Sequence, residues 1–159
     1  MNTRRDTPEP DESILASMRN TLRLETDALM SLSAALGDDA VAAVRLLERL
    51  RGRVIAAGVG KSGHVARKFR RVLFRSRKIA ATLASTGTPA LYVHPSEASH
   101  GDLGMIAEGD CVIALSRSGE TRELNDLISY CRRFSIPLIA MTAKAASTLG
   151  RAADIALVI

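Results

Sequence analysis

Two short stretches carry donor groups at spacings that could do chemistry. Gly58-Val59-Gly60-Lys61-Ser62-Gly63-His64 follows the apolar run Val54-Ile55-Ala56-Ala57, and Ser116-Arg117-Ser118-Gly119-Glu120-Thr121 follows Cys111-Val112-Ile113-Ala114-Leu115. An apolar run that stops at small hydroxyl residues and resumes as an amphipathic helix sets hydroxyls and free backbone N–H groups at a helix N-terminus, which suits a phosphate. Ser, Gly and Thr at a strand-to-helix junction are also ordinary turn and capping residues, so the second stretch alone leaves both readings open.

The glycine-rich stretch resembles other phosphate loops, and spacing separates them. A Walker A loop needs four residues between its first Gly and Gly-Lys-Ser/Thr, and counting back four from Gly60 lands on Ile55. Gly58, Gly60 and Gly63 do satisfy the dinucleotide fingerprint. Its acidic ribose partner should close the next strand, yet Leu91-Tyr92-Val93 ends in His94-Pro95, which argues against a nicotinamide cofactor.

The elements that must position these turns read as alternating strands and helices. Met1–Pro10 is a polar tail; apolar residues from Ile14 to Leu32 recur at helical spacing, and Gly37-Asp38-Asp39 ends that helix and caps a second over Val41–Leu50. These two helices, within 11–51, are expected to cover the sheet or meet a partner subunit. Buried strands are expected at Val54–Ala57, Ala90–Val93, Cys111–Leu115, Pro137–Met141 and Ile155–Ile159, with helices from His64, around Leu124–Cys131 and near Ala145–Ala152. Ser96–Gly104 reads as a polar loop. The pattern predicts an α/β core over 52–159: a three-layer, Rossmann-like sandwich with a five-stranded parallel sheet and its site at the carboxyl ends of the strands.

Composition narrows the classes further. The chain's 159 residues, 47% hydrophobic, favour one domain with a real core. A net charge of +5 could suggest nucleic acid, but aromatics at 3% leave little to stack bases on, and much of the excess lies in Arg67–Lys78. Cys111 and Cys131 have neither metal spacing nor disulfide density and are expected as core thiols. No apolar run reaches membrane-spanning length, and the polar start lacks a signal-peptide core, so a cytoplasmic protein is expected.

One segment breaks the pattern. Arg67-Lys68 and Arg77-Lys78 flank Phe69–Lys78 as though ten residues had been spliced in, and Arg70–Ser76 resembles the translation of a common sequencing-adapter oligonucleotide. We read this segment as an artefactual insert, with a natural basic insertion as the alternative; it would shift the helix by a nonintegral number of turns unless it bulges outward.

Gly-Lys-Ser-Gly-His at 60–64, Ser-Thr-Gly-Thr-Pro at 85–89, His-Pro-Ser-Glu-Ala-Ser-His-Gly-Asp-Leu-Gly at 94–104 and Ser-Arg-Ser-Gly-Glu-Thr at 116–121 resemble the sugar isomerase (SIS) domain. More narrowly, they resemble the arabinose-5-phosphate isomerase family, from about Ser13 to Ile159 apart from Phe69–Lys78. The resemblance implies interconversion of D-ribulose 5-phosphate and D-arabinose 5-phosphate, on the route to the lipopolysaccharide sugar Kdo, with no cofactor required. It implies that Lys61 and Glu123 are catalytic. His94 and His100 are implied as substrate contacts, and Gly87-Thr88 as a substrate-binding turn. Ser62, Ser85, Ser116, Ser118 and Thr121 are implied as further phosphosugar contacts, and His94 as a position that can hold zinc.

Aldose–ketose exchange through an enediol needs a group that accepts and returns a proton, and a cation or donor beside the oxygen that becomes negative. Glu123 is a candidate base, Lys61 a candidate oxyanion or phosphate partner, and His100 a candidate donor to a sugar hydroxyl or aid to ring opening. The family continues into a further catalytic glutamate and histidine and usually a pair of CBS modules, so this chain reads as the front part of an enzyme, inactive alone. A homotetramer is implied too. The competing class is a phosphosugar-binding SIS regulator without catalysis, although the N-terminal helices lack the short turn and basic face of a helix-turn-helix.

Overall fold

The computed structural model describes residues 10–58, 69–98 and 101–159. The chain divides into two compact units at Leu36/Gly37. The first contains α1, Asp11–Ala35, with Asp11 and Glu12 in its first turn where the helix dipole favours negative charge. None of its residues is buried, and Ile14, Leu15, Met18, Leu22, Leu29 and Leu32 are all exposed.

The second unit begins with α2, Asp38–Glu48, capped by Gly37 as the sequence suggested. Five strands follow: β1 Val54–Gly58, β2 Ala90–Val93, β3 Cys111–Leu115, β4 Leu138–Thr142 and β5 Ile155–Val158. They pair in parallel in the order β2-β1-β3-β4-β5. Between them lie α3 Phe69–Ser85, a short helix α4 Pro95–Ala98, α5 Asn125–Phe134 and a short α6 Thr148–Ala152. The five-stranded parallel sheet expected from the apolar runs is therefore present, with strand limits within one or two residues of the sequence reading.

Both faces of the sheet are covered, which is why its strands read as continuous apolar runs. Ile55, Ala57, Val112, Ala114 and Leu138 pack with Leu124, Leu127, Ile128, Cys131 and Leu149 on one side. Val54, Cys111, Ile113, Leu115 and Ile139 pack with Ala43 of α2 on the other, together with Ile79 and Leu83 of α3. Both cysteines are free and buried, in these two separate cores, and burial pushes each thiol up to about 12.

Two expectations change. The loop expected at Ser96–Gly104 is partly helical: Pro95 fixes the first position of α4, the Glu97 N–H donates to the His94 carbonyl at 3.0 Å, and Asp102–Met105 forms a 3₁₀ turn. The segment Phe69–Lys78 does not bulge outward; it supplies the first ten residues of α3 itself, continuous with Ile79–Ser85. Ser76 is fully buried, and a Cβ placed on Gly58 would lie 2.6 Å from its Oγ, so α3 rides directly on the end of β1. The α3 C-terminus closes as a Schellman turn. Gly87 has φ 94°, its N–H donates to Ala84 at 3.3 Å, and the Thr88 N–H donates to Leu83 at 2.9 Å.

At the opposite rim an ion pair ties β1 to β3. Arg53 Nη2 donates to Asp110 Oδ2 at 2.8 Å and to the Met105 carbonyl at 2.6 Å, while the backbone N–H groups of Arg53 and Ala107 donate to the Asp110 carboxylate at 2.7 and 3.0 Å. Burial alone would raise the Asp110 pKa; the Arg53 guanidinium and the two amides outweigh it and hold the carboxyl below its usual range. Asp110→Ala, which strands those donors, is expected to cost about 3 kcal/mol at neutral pH, read by denaturant unfolding. A carboxyl depressed in the folded state stabilises fully above its unfolded value of about 3.9 and loses that contribution as pH falls through the lower folded value. The deficit of the variant should therefore shrink in acid below about pH 4.

Candidate functional site

Three strands release the chain side by side at the carboxyl rim. Leu115, the last residue of β3, pairs with Gly58, the last of β1, and Val93, the last of β2, pairs with Ala57. The order of the sheet reverses between β1 and β3, the place where open parallel sheets bind ligands. Ser116 leaves β3 at this switch point, next to the β1 exit that leads toward Lys61, and His94 leaves β2 on the far side of β1. Lys61, Ser62 and His100 lie outside the described residues, as do Gly60, Gly63 and His64.

The Ser116–Thr121 turn has a defined internal geometry. Ser116 Oγ and Thr121 Oγ1 lie 2.7 Å apart, both residues buried, and the Gly119 N–H donates to Ser116 Oγ at 3.1 Å. Two hydroxyls that share one hydrogen bond leave one O–H proton for another acceptor. The Glu120 N–H donates to Ser118 Oγ at 3.2 Å, and Ser118 is exposed. The amides of Ser118 and Thr121 donate to no group among the described residues. Gly119 has φ 67°, a left-handed conformation that glycine adopts without strain.

The turn is held from outside by the β4–α6 connection. The Ser116 N–H donates to the Met141 carbonyl at 3.0 Å, and the Arg117 carbonyl accepts from the Ala143 N–H at 3.1 Å. The Gly119 carbonyl accepts from the Leu149 N–H at 3.0 Å. Glu120 accepts twice from Thr148: from its N–H at 2.9 Å and from its hydroxyl at 2.7 Å. The Thr148 hydroxyl and amide hold the Glu120 carboxyl below the usual carboxylate range. Sequence reasoning missed Glu120, Ser147 and Thr148; the available signal was Ser147 itself, the N-cap of α6, whose Oγ accepts from the Gly150 N–H at 3.2 Å.

Glu123 is half-buried in a 3₁₀ turn, Arg122–Leu124, that precedes α5. It was expected in the first turn of the α-helix; the Leu124 N–H instead bonds back three residues to the Thr121 carbonyl at 3.1 Å. α4 packs against this 3₁₀ turn, which brings the His94–Glu97 segment and the Glu123 segment together on one rim. His94 is half-buried, its Nδ1 accepts from the Ser96 N–H at 3.3 Å, and its ring meets Tyr92 edge-on at 6.4 Å between centroids. Tyr92 in turn donates to the Gly58 carbonyl at 3.3 Å, and burial pushes its hydroxyl up to about 12. No three His, Cys, Asp or Glu residues gather into a metal-binding group among the described residues. His94 Nδ1 is taken by the Ser96 N–H, which leaves Nε2 as its ligand atom.

The structure does not bring Ser85, Gly87 and Thr88 to this rim. They close α3 at the amino end of β2, where Ala90 pairs with Val54, and Ser85 Oγ donates to the Thr82 carbonyl at 2.8 Å. A groove of about 670 Å³, lined by Val41, Ala42, Leu46 and Ile155 among others, contains no residue of the Ser116–Thr121 turn.

A doubly wound parallel sheet with a hydroxyl-rich turn at its switch point defines a Rossmann-like class of α/β domain. The SIS domain family matches residues 47–159, and the chain belongs to that family. It is 50% identical over 139 residues to the arabinose 5-phosphate isomerase KdsD of Pseudomonas aeruginosa, a match that covers 87% of this chain and 40% of the relative. It is 46% identical over 142 residues to the arabinose 5-phosphate isomerase GutQ of Escherichia coli K12, covering 89% of this chain and 41% of the relative. Among solved structures, the E. coli CFT073 protein c3406 in complex with arabinose 5-phosphate superposes with a TM-score of 0.80 at 32% identity, covering 94% of this chain and 74% of that one. The chain thus spans about 40% of the length of the curated relatives it matches. No helix among the described residues is long and apolar enough to cross a membrane.

Proposed function

We propose that this chain is the phosphosugar-binding portion of an aldose–ketose isomerase that interconverts D-ribulose 5-phosphate and D-arabinose 5-phosphate. The observation that carries the reading is the Ser116–Thr121 turn at the β1/β3 switch point, whose Ser118 and Thr121 amides no described residue takes up. Its support from relatives is the 46–50% identity to proteins named arabinose 5-phosphate isomerases. In this reading the turn takes the phosphate, as open amides at a strand exit suit an anion. Glu123 moves the proton between the first two sugar carbons, and Lys61 faces the oxygen that becomes negative in the enediol. His94 and His100 contact sugar hydroxyls. Ser85, Gly87 and Thr88, on the other rim, would serve only a site completed by another copy, which fits a homotetramer. The enzyme would be cytoplasmic, need no cofactor, and supply the Kdo branch of lipopolysaccharide synthesis.

The test uses the full-length parent. Lys61→Ala and Glu123→Gln are each expected to lower kcat/KM for D-ribulose 5-phosphate by about 100-fold or more, the size expected for a lost acid–base or oxyanion group. Normal turnover in both variants overturns these roles. Tight phosphosugar binding with no turnover in the unmodified parent is the outcome that a sensing module would give instead.

A further inference from the structure

The turn proposed to take the phosphate is bonded outward as well as within itself. Its internal contacts are two serine hydroxyls, one threonine hydroxyl and the Gly119 and Glu120 amides. Outward bonds run from the Ser116 amide and the Arg117 and Gly119 carbonyls to β4, α6 and the connection between them, and two more meet in one exposed side chain, Glu120. Glu120 reaches away from the switch point, onto the first residue of α6. Its two oxygens take the two donors of Thr148 at 2.9 and 2.7 Å, while the next amide along, Leu149, binds the Gly119 carbonyl at 3.0 Å. Residues 119 and 120 are thus clamped, backbone and side chain, to residues 148 and 149.

We propose that Glu120, acting through Thr148, is a positioning residue for phosphosugar binding: it latches the Ser116–Thr121 turn onto the start of α6 and so fixes the direction of the Ser118 and Thr121 amides. The inference rests on the proposed phosphosugar site and adds a residue outside it. Without the latch the turn keeps its sequence, its hydroxyl pair and its exit from β3, but it loses the two side-chain bonds that hold its Glu120 end to α6, where only the Leu149–Gly119 backbone bond remains among the described residues. A carboxylate is suited to this work because it accepts from a backbone amide and a hydroxyl at once. A glutamine at 120 keeps one strong acceptor and so should retain part of the effect.

Two measurements on this chain test the latch independently. The first is amide hydrogen exchange by NMR. In Glu120→Ala and Thr148→Val, exchange at Gly119 and Leu149 should quicken about tenfold or more, while Ala114 and Ile139 in the neighbouring strands keep their wild-type rates. The second is calorimetric titration with D-arabinose 5-phosphate. The dissociation constant should rise about tenfold in Glu120→Ala, with Glu120→Gln between it and wild type, and with a melting temperature close to that of wild type in all three variants. Unchanged exchange at Gly119 and Leu149 overturns the latch. Faster exchange with unaltered affinity overturns its role in binding. A wild-type chain that binds no D-arabinose 5-phosphate overturns the proposed function instead, and the exchange rates then still decide whether Glu120 holds the turn.

Discussion

Gly119→Val is expected to unfold the carboxyl rim and abolish phosphosugar binding, with the chain's melting temperature lower by about 10 °C. The reason is twofold. The residue stands at φ 67°, where a β-branched side chain costs about 1–2 kcal/mol. The added Cβ would also overlap Ser147, meeting both its Oγ and its Cβ, with Thr142 Oγ1 only 3.1 Å away. Ser147 cannot yield cheaply. It is buried, it caps α6 by accepting from the Gly150 N–H at 3.2 Å, and its hydroxyl donates to the Lys144 carbonyl at 2.6 Å. Displacing it removes the cap, worth about 1 kcal/mol, and pulls the Leu149 N–H from the Gly119 carbonyl, worth about 1 kcal/mol more. The total is about 3–4 kcal/mol, and a domain of this size loses about 2–4 °C per kcal/mol. Gly119→Ala should show most of the effect, because the clash is at Cβ. Gly104→Ala is the control: nothing lies within 4 Å of its Cβ position, and its melting temperature should stay within about 2 °C of wild type. If Gly119→Ala melts with the control, the packing of the turn against α6 is not what holds this rim together.

The strands were legible because both faces of the sheet are covered. Cys111–Leu115 and Ala90–Val93 match the reading residue for residue, and each is an uninterrupted apolar run bounded by polar or proline residues. The Ser116–Thr121 turn was legible for the same reason: the run stops where the sheet stops. The short elements were not. Pro95–Ala98 and Arg122–Leu124 are single turns, too brief to show helical periodicity. The Glu120–Thr148 contact joins residues 28 apart, so spacing along the chain carries no sign of it. The resemblance placed Gly87 and Thr88 at a substrate turn, and the fold gives them a local task first, ending α3 with a left-handed glycine. Charge misled in one respect. The arginines of Phe69–Lys78 read as the charge surplus of an insertion, yet Arg77 lies over the Tyr92 ring at 5.1 Å and Ser76 is fully buried against β1.

That buried serine makes the consequence of removing Phe69–Lys78 calculable. Excision joins Lys68 to Ile79, so the residue three before Ile79 becomes Ala66 in place of Ser76. Arg67-Lys68 then replaces Arg77-Lys78 without a change of residue type. The helix from Ile79 to Ser85 and its Schellman turn are untouched. The face that α3 lays on β1 and β2 is therefore conserved in kind, with a small residue under Gly58 and a guanidinium in register with Tyr92. What changes is the connection from Gly58 to that small residue, which shortens from 17 residues (59–75) to seven (59–65). Closing a shorter connection costs less entropy, by less than about 1 kcal/mol. The larger effect concerns the rim. The ten extra residues enter between the end of β1 and the packed part of α3, beside the turn that begins at Ser116. A seven-residue connection leaves fewer conformations to be lost when a ligand orders it. The excised chain is expected to melt at or slightly above the temperature of the present one and to bind D-arabinose 5-phosphate at least about tenfold more tightly by calorimetric titration. An excised chain that folds, by its circular dichroism, and binds no better would show that Phe69–Lys78 leaves the rim as it found it.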